Sequence, residues 1–271
     1  MRNLVVIRGA GDLASGVAHR LHQAGFPVIM TEIARPTVIR RAVAFAEAVY
    51  TGAITVEGVT ARLVAGPEEA LTKALQGEIA VLVDPPAGVI TALRPQIVVD
   101  AILAKTNLGT SINLAPIVIA LGPGFTAGRD VHAVVETRRG HYLGRVIWQG
   151  AALANTGIPG EVMGYTEERV LRAPANGIFK GCKAIGDPVT AGETVAMVDG
   201  VPIPARISGV LRGILHDELE VTRGMKVGDI DPRGERDYCF TISDKARAIA
   251  GGVLEAILHL TSSPENKLML E

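Results

Sequence analysis

Val5-Val6-Ile7-Arg8-Gly9-Ala10-Gly11-Asp12-Leu13-Ala14 is the stretch on which the reading of this chain turns. A short β-branched run ends in G-x-G-x-x-A, and an amphipathic pattern continues from Ala14 to Ala24. Strand, glycine loop and helix in that order predict a nucleotide-binding βαβ unit over residues 3–32. Gly9 permits the tight turn, Gly11 lets backbone approach a phosphate, and Ala14 keeps helix and strand close, while unpaired N–H groups at the helix start attract an anion. Gly16, one turn on, extends the close packing. Glu32 ends the next strand 21 residues beyond Gly11, where such a unit holds a carboxylate for ribose hydroxyls. Asp12 lies inside the loop, and its charge repels pyrophosphate unless it points away or meets a bridging cation, which weighs against ordinary NAD. A plain βα turn with incidental glycines is the competing reading.

Working outward, the first third alternates apolar runs with helical patterns: Leu4 to Ile7, Ala14 to Ala24, Pro27 to Thr31, then a helical pattern over Val38 to Val49. Further Val- and Ile-rich runs at 59–64, 79–83, 97–99, 117–121 and 131–135 read as strands covered on both faces. The expected fold class is α/β, a Rossmann-like, mostly parallel sheet over residues 1–165. The texture changes near Tyr165 to glycine- and proline-punctuated short strands, marking an all-β domain over 166–242. From Ser243 a helical pattern returns and predicts a C-terminal helix (243–271) packing on the first domain, with Ser243 as N-cap, Asp244 in the first turn and a frayed tail from Ser262 onward.

The all-β region repeats itself at an offset of 32 residues. Ala173, Gly177, Gly181, Val189, Gly192, Val195 and Asp199 fall on Ala205, Gly209, Gly213, Val221, Gly224, Val227 and Asp231, and matched glycines imply matched turns. Two such halves resemble a biotinyl/lipoyl-type barrel-sandwich hybrid. The hairpin between the halves, Asp199-Gly200-Val201-Pro202, has no lysine to carry a swinging group, and Lys226 falls late in the second half, so neither lipoyl nor biotin is expected. A packing or docking module is the expectation instead.

Composition narrows the function classes. The chain has 271 residues, 48% of them hydrophobic, and a formal charge of −1, so it can bury a large core and lacks the broad basic face that nucleic acid requires. The N-terminal apolar run is too short for a signal peptide or a membrane span, and a cytoplasmic protein without membrane partners is expected. Cys182 and Cys239 lie far apart with no metal-ligand spacing, so no metal site is expected. Cys239, in Tyr-Cys-Phe-Thr-Ile, reads as a buried strand residue; Cys182 has a more electropositive setting beside Lys180 and Lys183.

Anion chemistry has to be local in so balanced a chain. Gly122 and Gly124 form a second glycine turn after the run 117–121 and suit a backbone nest. The next hairpin tip concentrates Arg138, Arg139, His141 and Arg145, which suit bidentate grip on a phosphate; a solvated hairpin tip is the bland alternative. Glu136 and His141 make an acid/base pair if they face each other, and Lys105, with Asn107, Gly109, Thr110 and Ser111 in a polar loop, joins them as a catalytic candidate. Asp84 and Asp100 stand at strand ends, Asp100 with an equal claim to be a capping residue. Arg35, Arg40 and Arg41, after Glu32, either meet an extra phosphate or solvate a helix face with Glu47.

Several long motifs together resemble one family. They are Arg8-Gly-Ala-Gly-Asp-Leu-Ala-Ser-Gly16, Gly122-Pro-Gly-Phe-Thr-Ala-Gly128 with Glu136-Thr-Arg-Arg-Gly-His141 and Leu143-Gly-Arg145, Asn155-Thr-Gly-Ile-Pro-Gly160, Val227-Gly-Asp-Ile-Asp-Pro-Arg233, and Ile242-Ser-Asp-Lys-Ala-Arg247. Nearly the whole chain resembles the selenium-dependent molybdenum hydroxylase system protein family, YqeB type, and the first half is distantly similar to XdhC-type accessory proteins of molybdenum hydroxylases. The resemblance implies a role in maturing a molybdenum hydroxylase. Its ligand would be a nucleotide (NAD(P)-like) or the phosphorylated molybdenum cofactor, and its partner the hydroxylase or another maturation protein; a homo-oligomer is compatible with it. The residues alone leave open two other readings, an NAD(P)-dependent oxidoreductase using Gly9, Gly11, Ala14 and Glu32, and a non-catalytic assembly scaffold.

Overall fold

A computed structural model describes residues 3–262, and the expected frayed tail lies almost wholly outside them. The chain divides into two compact units. One comprises the residues up to 34, 45–155 and those from 243 on; the other comprises 35–44 and 156–242. The division falls at 155 rather than the expected 165, the late β region ends at 242, and ten early residues belong with it.

In the first unit, β1 (Val5–Arg8) and β2 (Val28–Glu32) flank α1 (Asp12–Gln23). After 3₁₀ turns comes the four-residue α2 (Ala48–Thr51), then the hairpin of β3 (Ala53–Val56) and β4 (Val59–Val64). Next follow α3 (Pro67–Leu75), β5 (Ile79–Val83), α4 (Gly88–Leu93), β6 (Ile97–Asp100) and β7 (Ile117–Leu121). The short strands β8 (Thr126–Ala127), β9 (Ala133–Val135), β10 (Val146–Ile147) and β11 (Gly150–Ala151) come after, and α5 (Asp244–Ser262) closes the unit. Nine strands join in the order β10-β9-β7-β6-β1-β2-β5-β4-β3, with β8 and β11 paired separately.

This corrects the expected Rossmann-like fold. The sheet is mixed: β3 runs antiparallel to β4 at one edge, β10 antiparallel to β9 at the other, and β5 intervenes between β2 and β4. Doubly wound sheets cover both faces with a helix at each crossover. Here the β6-to-β7 connection carries only the 3₁₀ turn Ile112–Leu114, the segment between β7 and β9 carries β8, and residues 38–49, which pattern as helix, form 3₁₀ turns and the short α2. Cover for one face comes instead from the far end of the chain. α5 packs along α1 and against β7, β9 and β10, burying Ala246, Ile249, Ala250, Val253, Ala256 and Ile257. Beneath these layers Val5, Val6, Ile7, Val98, Val99, Val118 and Ile119 are fully enclosed.

The second unit contains β12 (Val170–Arg172), β13 (Gly177–Gly181), β14 (Pro188–Val189), β15 (Thr194–Val198), β16 (Val201–Pro204), β17 (Gly209–Ile214), β18 (Glu220–Val221) and β19 (Lys226–Asp231). They sort into two four-stranded antiparallel sheets, β12-β19-β17-β14 and β16-β15-β13-β18. The barrel-sandwich hybrid expected for this region is corrected to that pair of sheets, completed by residues 35–44. A shift of 32 residues carries the starts of β13, β14 and β15 onto those of β17, β18 and β19, and the same exchange carries one sheet's strand order onto the other's. The matched glycines explain this locally: Gly177 and Gly209 both have positive φ at the start of equivalent strands. Cys239 is the buried last residue of an otherwise exposed 3₁₀ turn (Arg236–Cys239) rather than lying in a strand, and burial pushes its thiol up. No helix among the described residues is long and apolar enough to cross a membrane.

Candidate functional site

Seven strands of the first unit, β1, β2, β4, β5, β6, β7 and β9, run the same way, so their carboxyl ends and the loops that follow them share one sheet edge. Four loops there contain most of the residues singled out by sequence.

The glycine loop leaves β1 at Gly9, whose φ of +93° and whose approach to the Ala101 carbonyl, 3.0 Å from where a Cβ would stand, both require glycine. Its N–H donates to Thr31 O at 2.8 Å, and the Ala10 N–H donates to Glu32 Oε2 at 2.9 Å. Gly11 is the extended N-cap of α1, Asp12 its first residue, and Ala14 is buried. Gly9 and Ala10 therefore spend their N–H groups internally, and the loop's capacity for an anion falls to the first turn of α1. Glu32 uses its other oxygen on the Ile33 N–H at 2.8 Å, so the carboxylate expected to meet a ribose ties β2 to the loop.

The second glycine turn is built for close packing. A Cβ on Gly122 would stand 2.5 Å from Thr137 Oγ1, and one on Gly124 would stand 2.9 Å from the Lys105 carbonyl carbon. The Lys105 side chain itself is exposed, in a loop held by reciprocal bonds between Asn107 and Thr110 at 2.7 and 2.8 Å. Under that loop Arg8, which sequence reading passed over as a site residue, is buried. It donates to Thr110 Oγ1, to Leu108 O at 3.1 Å and to Asp100 Oδ2 at 3.3 Å, so Asp100 is an ion-pair partner. Asp84 accepts the Val89 N–H at 2.9 Å and caps α4.

At the fourth loop, after β9, Glu136 is buried, with Oε1 accepting the Arg138 N–H at 2.7 Å and Oε2 the Leu153 N–H at 2.8 Å. His141 is exposed and packs edge-on to Tyr142 with centroids 5.0 Å apart, and the structure records no hydrogen bond between His141 and Glu136. Arg138 and Arg145 are exposed, Arg145 lying over the Tyr142 ring at 5.3 Å. Arg139 makes a bidentate pair with Asp244 at 2.8 and 3.0 Å, which joins the basic turn to the first turn of α5. Beside the turn opens a cavity of about 410 Å³ with Glu136, Tyr142, Arg145, Trp148 and Leu153 among its walls.

Lys245 is the residue that sequence reading missed. It stands in the first turn of α5, where a cation opposes the helix dipole, and that misplaced charge is the signal that marks it. It is half-buried and makes no hydrogen bond or ion pair with the described residues. Burial and then Arg139 push its ammonium below the usual lysine range, against the pull of Asp12, Asp244 and Glu136. Charges of both the glycine loop, through Asp12, and the basic turn, through Arg139 and Glu136, thus act on Lys245. Close packing fixes its helix: Gly16 lies against Ala246, where an added Cβ would meet Ala246 Cβ at 2.7 Å, and Gly144 lies against the Ala248 carbonyl. Arg35, Arg40 and Arg41 belong to the other unit, where they donate to backbone carbonyls of Glu218, of Tyr238 and Thr241, and of Ile214.

No family model matches the chain. It is 57% identical over 257 residues to the uncharacterized protein YqeB of Escherichia coli (strain K12), an alignment that covers 95% of this chain and 48% of that protein, so the chain spans about half the length of its curated relative. Among solved structures it is similar to an aspartoacylase family protein from Mesorhizobium loti (11% identity, 84% of each chain, TM-score 0.29). It is also similar to a succinylglutamate desuccinylase/aspartoacylase from Rhodobacter sphaeroides (14% identity, 84% of this chain and 85% of that one, TM-score 0.26).

Proposed function

We propose that this chain acts in the maturation of selenium-dependent molybdenum hydroxylases and that its first unit binds a small phosphorylated ligand, a nucleotide or the phosphorylated molybdenum cofactor. The observation that carries the reading is the half-buried Lys245 ammonium on α5, without a hydrogen-bond or ion-pair partner among the described residues and acted on by charges of both the glycine loop and the basic turn. A partly desolvated cation gains most from an anion that restores its missing partner. Arg138 stands ready on the same turn, and the first-turn N–H groups of α1 face the same sheet edge. Those donors suit the phosphate of either ligand. The resemblance of the long motifs to the hydroxylase maturation family suggests the pathway, and the second unit would dock the hydroxylase or another maturation protein. NAD(P) chemistry is less well supported, because Glu32 commits both oxygens to backbone N–H groups.

Calorimetric titration with pyrophosphate tests the site. Lys245→Met is expected to weaken binding by about tenfold to a hundredfold, the worth of a charge-assisted hydrogen bond, and Lys245→Arg to restore much of it. Binding is also expected to decline as pH rises through the lowered Lys245 value, below its ordinary 10.5, because the ammonium is the form that holds the anion. Equal affinities in parent and Lys245→Met, with circular dichroism unchanged, would sink the proposal. Mass spectrometry of small molecules released from the denatured protein identifies the ligand.

A further inference from the structure

The two sheets of the second unit correspond strand for strand, yet one outer face is covered and the other is bare. A shift of 32 residues matches Ile178 with Val210, Lys180 with Arg212, Met197 with Asp229 and, in the opposite sense, Pro202 with Val170. In the sheet β12-β19-β17-β14 these positions are shut away, with Val170 2%, Val210 3%, Asp229 4% and Arg212 7% exposed. In the sheet β16-β15-β13-β18 Ile178 is 42% and Met197 37% exposed, and Lys180 and Pro202 are exposed with them. These four alternate along their strands with the buried Phe179, Val198 and Ile203, so they share the outer face.

The cover on the closed sheet has a definite chemistry. Residues 35–44 lie against β17: Ile39 packs on the unit's core and its carbonyl accepts the Ile214 N–H, while Arg41 Nε donates to Ile214 O. Arg169, from the 3₁₀ turn Glu167–Arg169, meets Asp229 at 2.8 and 3.1 Å, and Arg233 meets Asp231 at 2.6 and 2.9 Å. Aliphatic contact and arginines on carboxylates thus close that sheet. On the bare sheet the matching carboxylates lack those arginines. Asp199, the counterpart of Asp231, is exposed and accepts the Ile178 N–H at 3.2 Å, and Glu220, opposite Ile178 on β18, is exposed together with Glu218. None of the three makes an ion pair with the described residues. Set against Lys180, they leave the face acidic around an apolar centre.

We infer that the outer face of the sheet β16-β15-β13-β18 docks an extended, arginine-bearing segment of a partner protein, its aliphatic side chains on Ile178, Met197 and Pro202 and its guanidinium groups on Asp199, Glu218 and Glu220. Arginine suits this role because its planar fork grips carboxylates in pairs of hydrogen bonds. A second copy of the chain fits worse, since two acidic faces repel. The inference deepens the reading of the second unit as a dock and rests on that reading.

A fluorescent decapeptide with the chain's own covering sequence, Arg-Pro-Thr-Val-Ile-Arg-Arg-Ala-Val-Ala, serves as the probe. Anisotropy titration with the full chain is expected to show saturable binding that weakens with added salt, and a peptide with glutamate at every arginine position is expected to bind at least about tenfold more weakly. Glu220→Lys and Met197→Asp, both at exposed positions, are each expected to weaken binding by about tenfold with circular dichroism unchanged. The absence of saturable binding overturns the inference. So does binding that both variants leave unaltered, because the peptide then occupies the native place of residues 35–44. Concentration-dependent sedimentation that the same variants abolish gives the face to a second copy and likewise overturns it. A purified molybdenum hydroxylase that binds parent and both variants equally keeps the docking reading and removes it from this face.

Discussion

His132 shows how one side chain couples packing to pH. Its backbone N–H donates to Val118 O at 2.8 Å, while its Nδ1 accepts the Val118 N–H at 3.0 Å, so the ring bridges β7 to the start of β9 only when Nδ1 is unprotonated. Burial holds the imidazole below its ordinary 6.5. With the folded value depressed and the unfolded value near 6.5, the stabilisation is complete above pH 6.5 and is lost as pH falls through the folded value. His132→Asn is therefore expected to flatten the part of the urea midpoint's acid decline that begins near pH 6.5; superimposable pH profiles for parent and variant would count against the bridge. Lys245 obeys the same electrostatics at the site, where burial first and Arg139 second lower its value against the pull of three carboxylates. His132 does not stand out by type in sequence, and the size of both effects comes from what surrounds the two residues. Glu136 is a candidate by type in the sequence, and its partners are the Arg138 and Leu153 N–H groups rather than His141, because a hairpin tip exposes one side chain while burying its neighbour.

At the scale of the element, α5 is shaped by its small residues. Gly251 and Gly252 are adjacent in one helix and face different surroundings. A Cβ on Gly252 would stand 2.2 Å from Gly144 O and 2.9 Å from Val135 Cγ1, whereas one on Gly251 would meet nothing within 4 Å. Alanine in a helix interior is worth up to about 1 kcal/mol over glycine, so Gly251→Ala is expected to stabilise the protein by that order. At Gly252 overpacking against backbone outweighs this gain, and Gly252→Ala is expected to cost about 1–3 kcal/mol net. Denaturant midpoints of the two variants moving in the same direction would refute the packing argument. The helix itself is legible from its periodicity and its Ser243 cap, where the Ala246 N–H donates to Ser243 Oγ at 3.2 Å. Its partners are not legible, because a stripe of alanines and glycines says only that something comes close. The basic turn is legible as a cluster, but the Arg139–Asp244 pair spans 105 residues of chain.

For the whole molecule, the second unit depends on ten residues from far upstream. Ile39 O accepts the Ile214 N–H at 2.8 Å, Arg41 Nε donates to Ile214 O at 2.9 Å, and Arg40 reaches the carbonyls of Tyr238 and Thr241, each at 3.1 Å. Gly213 has no room for a Cβ, which would stand 2.8 Å from Ile39 O. A fragment spanning 156–242 alone is expected to melt at lower temperature and less cooperatively than the same fragment with residues 35–44 joined to it, because the strand ending at Ile214 loses its partner and Ile39 leaves the core. Equal melting curves would show that the segment is dispensable. The sequence by itself determined the strand–glycine–helix start at residues 5–23, the 32-residue repeat with its matched turns, and the capped C-terminal helix, since each follows from neighbours within a few turns of chain. Only the tertiary structure decided that the large sheet is mixed, that α5 supplies cover a crossover helix would otherwise give, and that charges of both the glycine loop and the basic turn act on Lys245. Those outcomes depend on which distant surfaces bury one another, and a local pattern of apolar and charged residues fits several such pairings equally well.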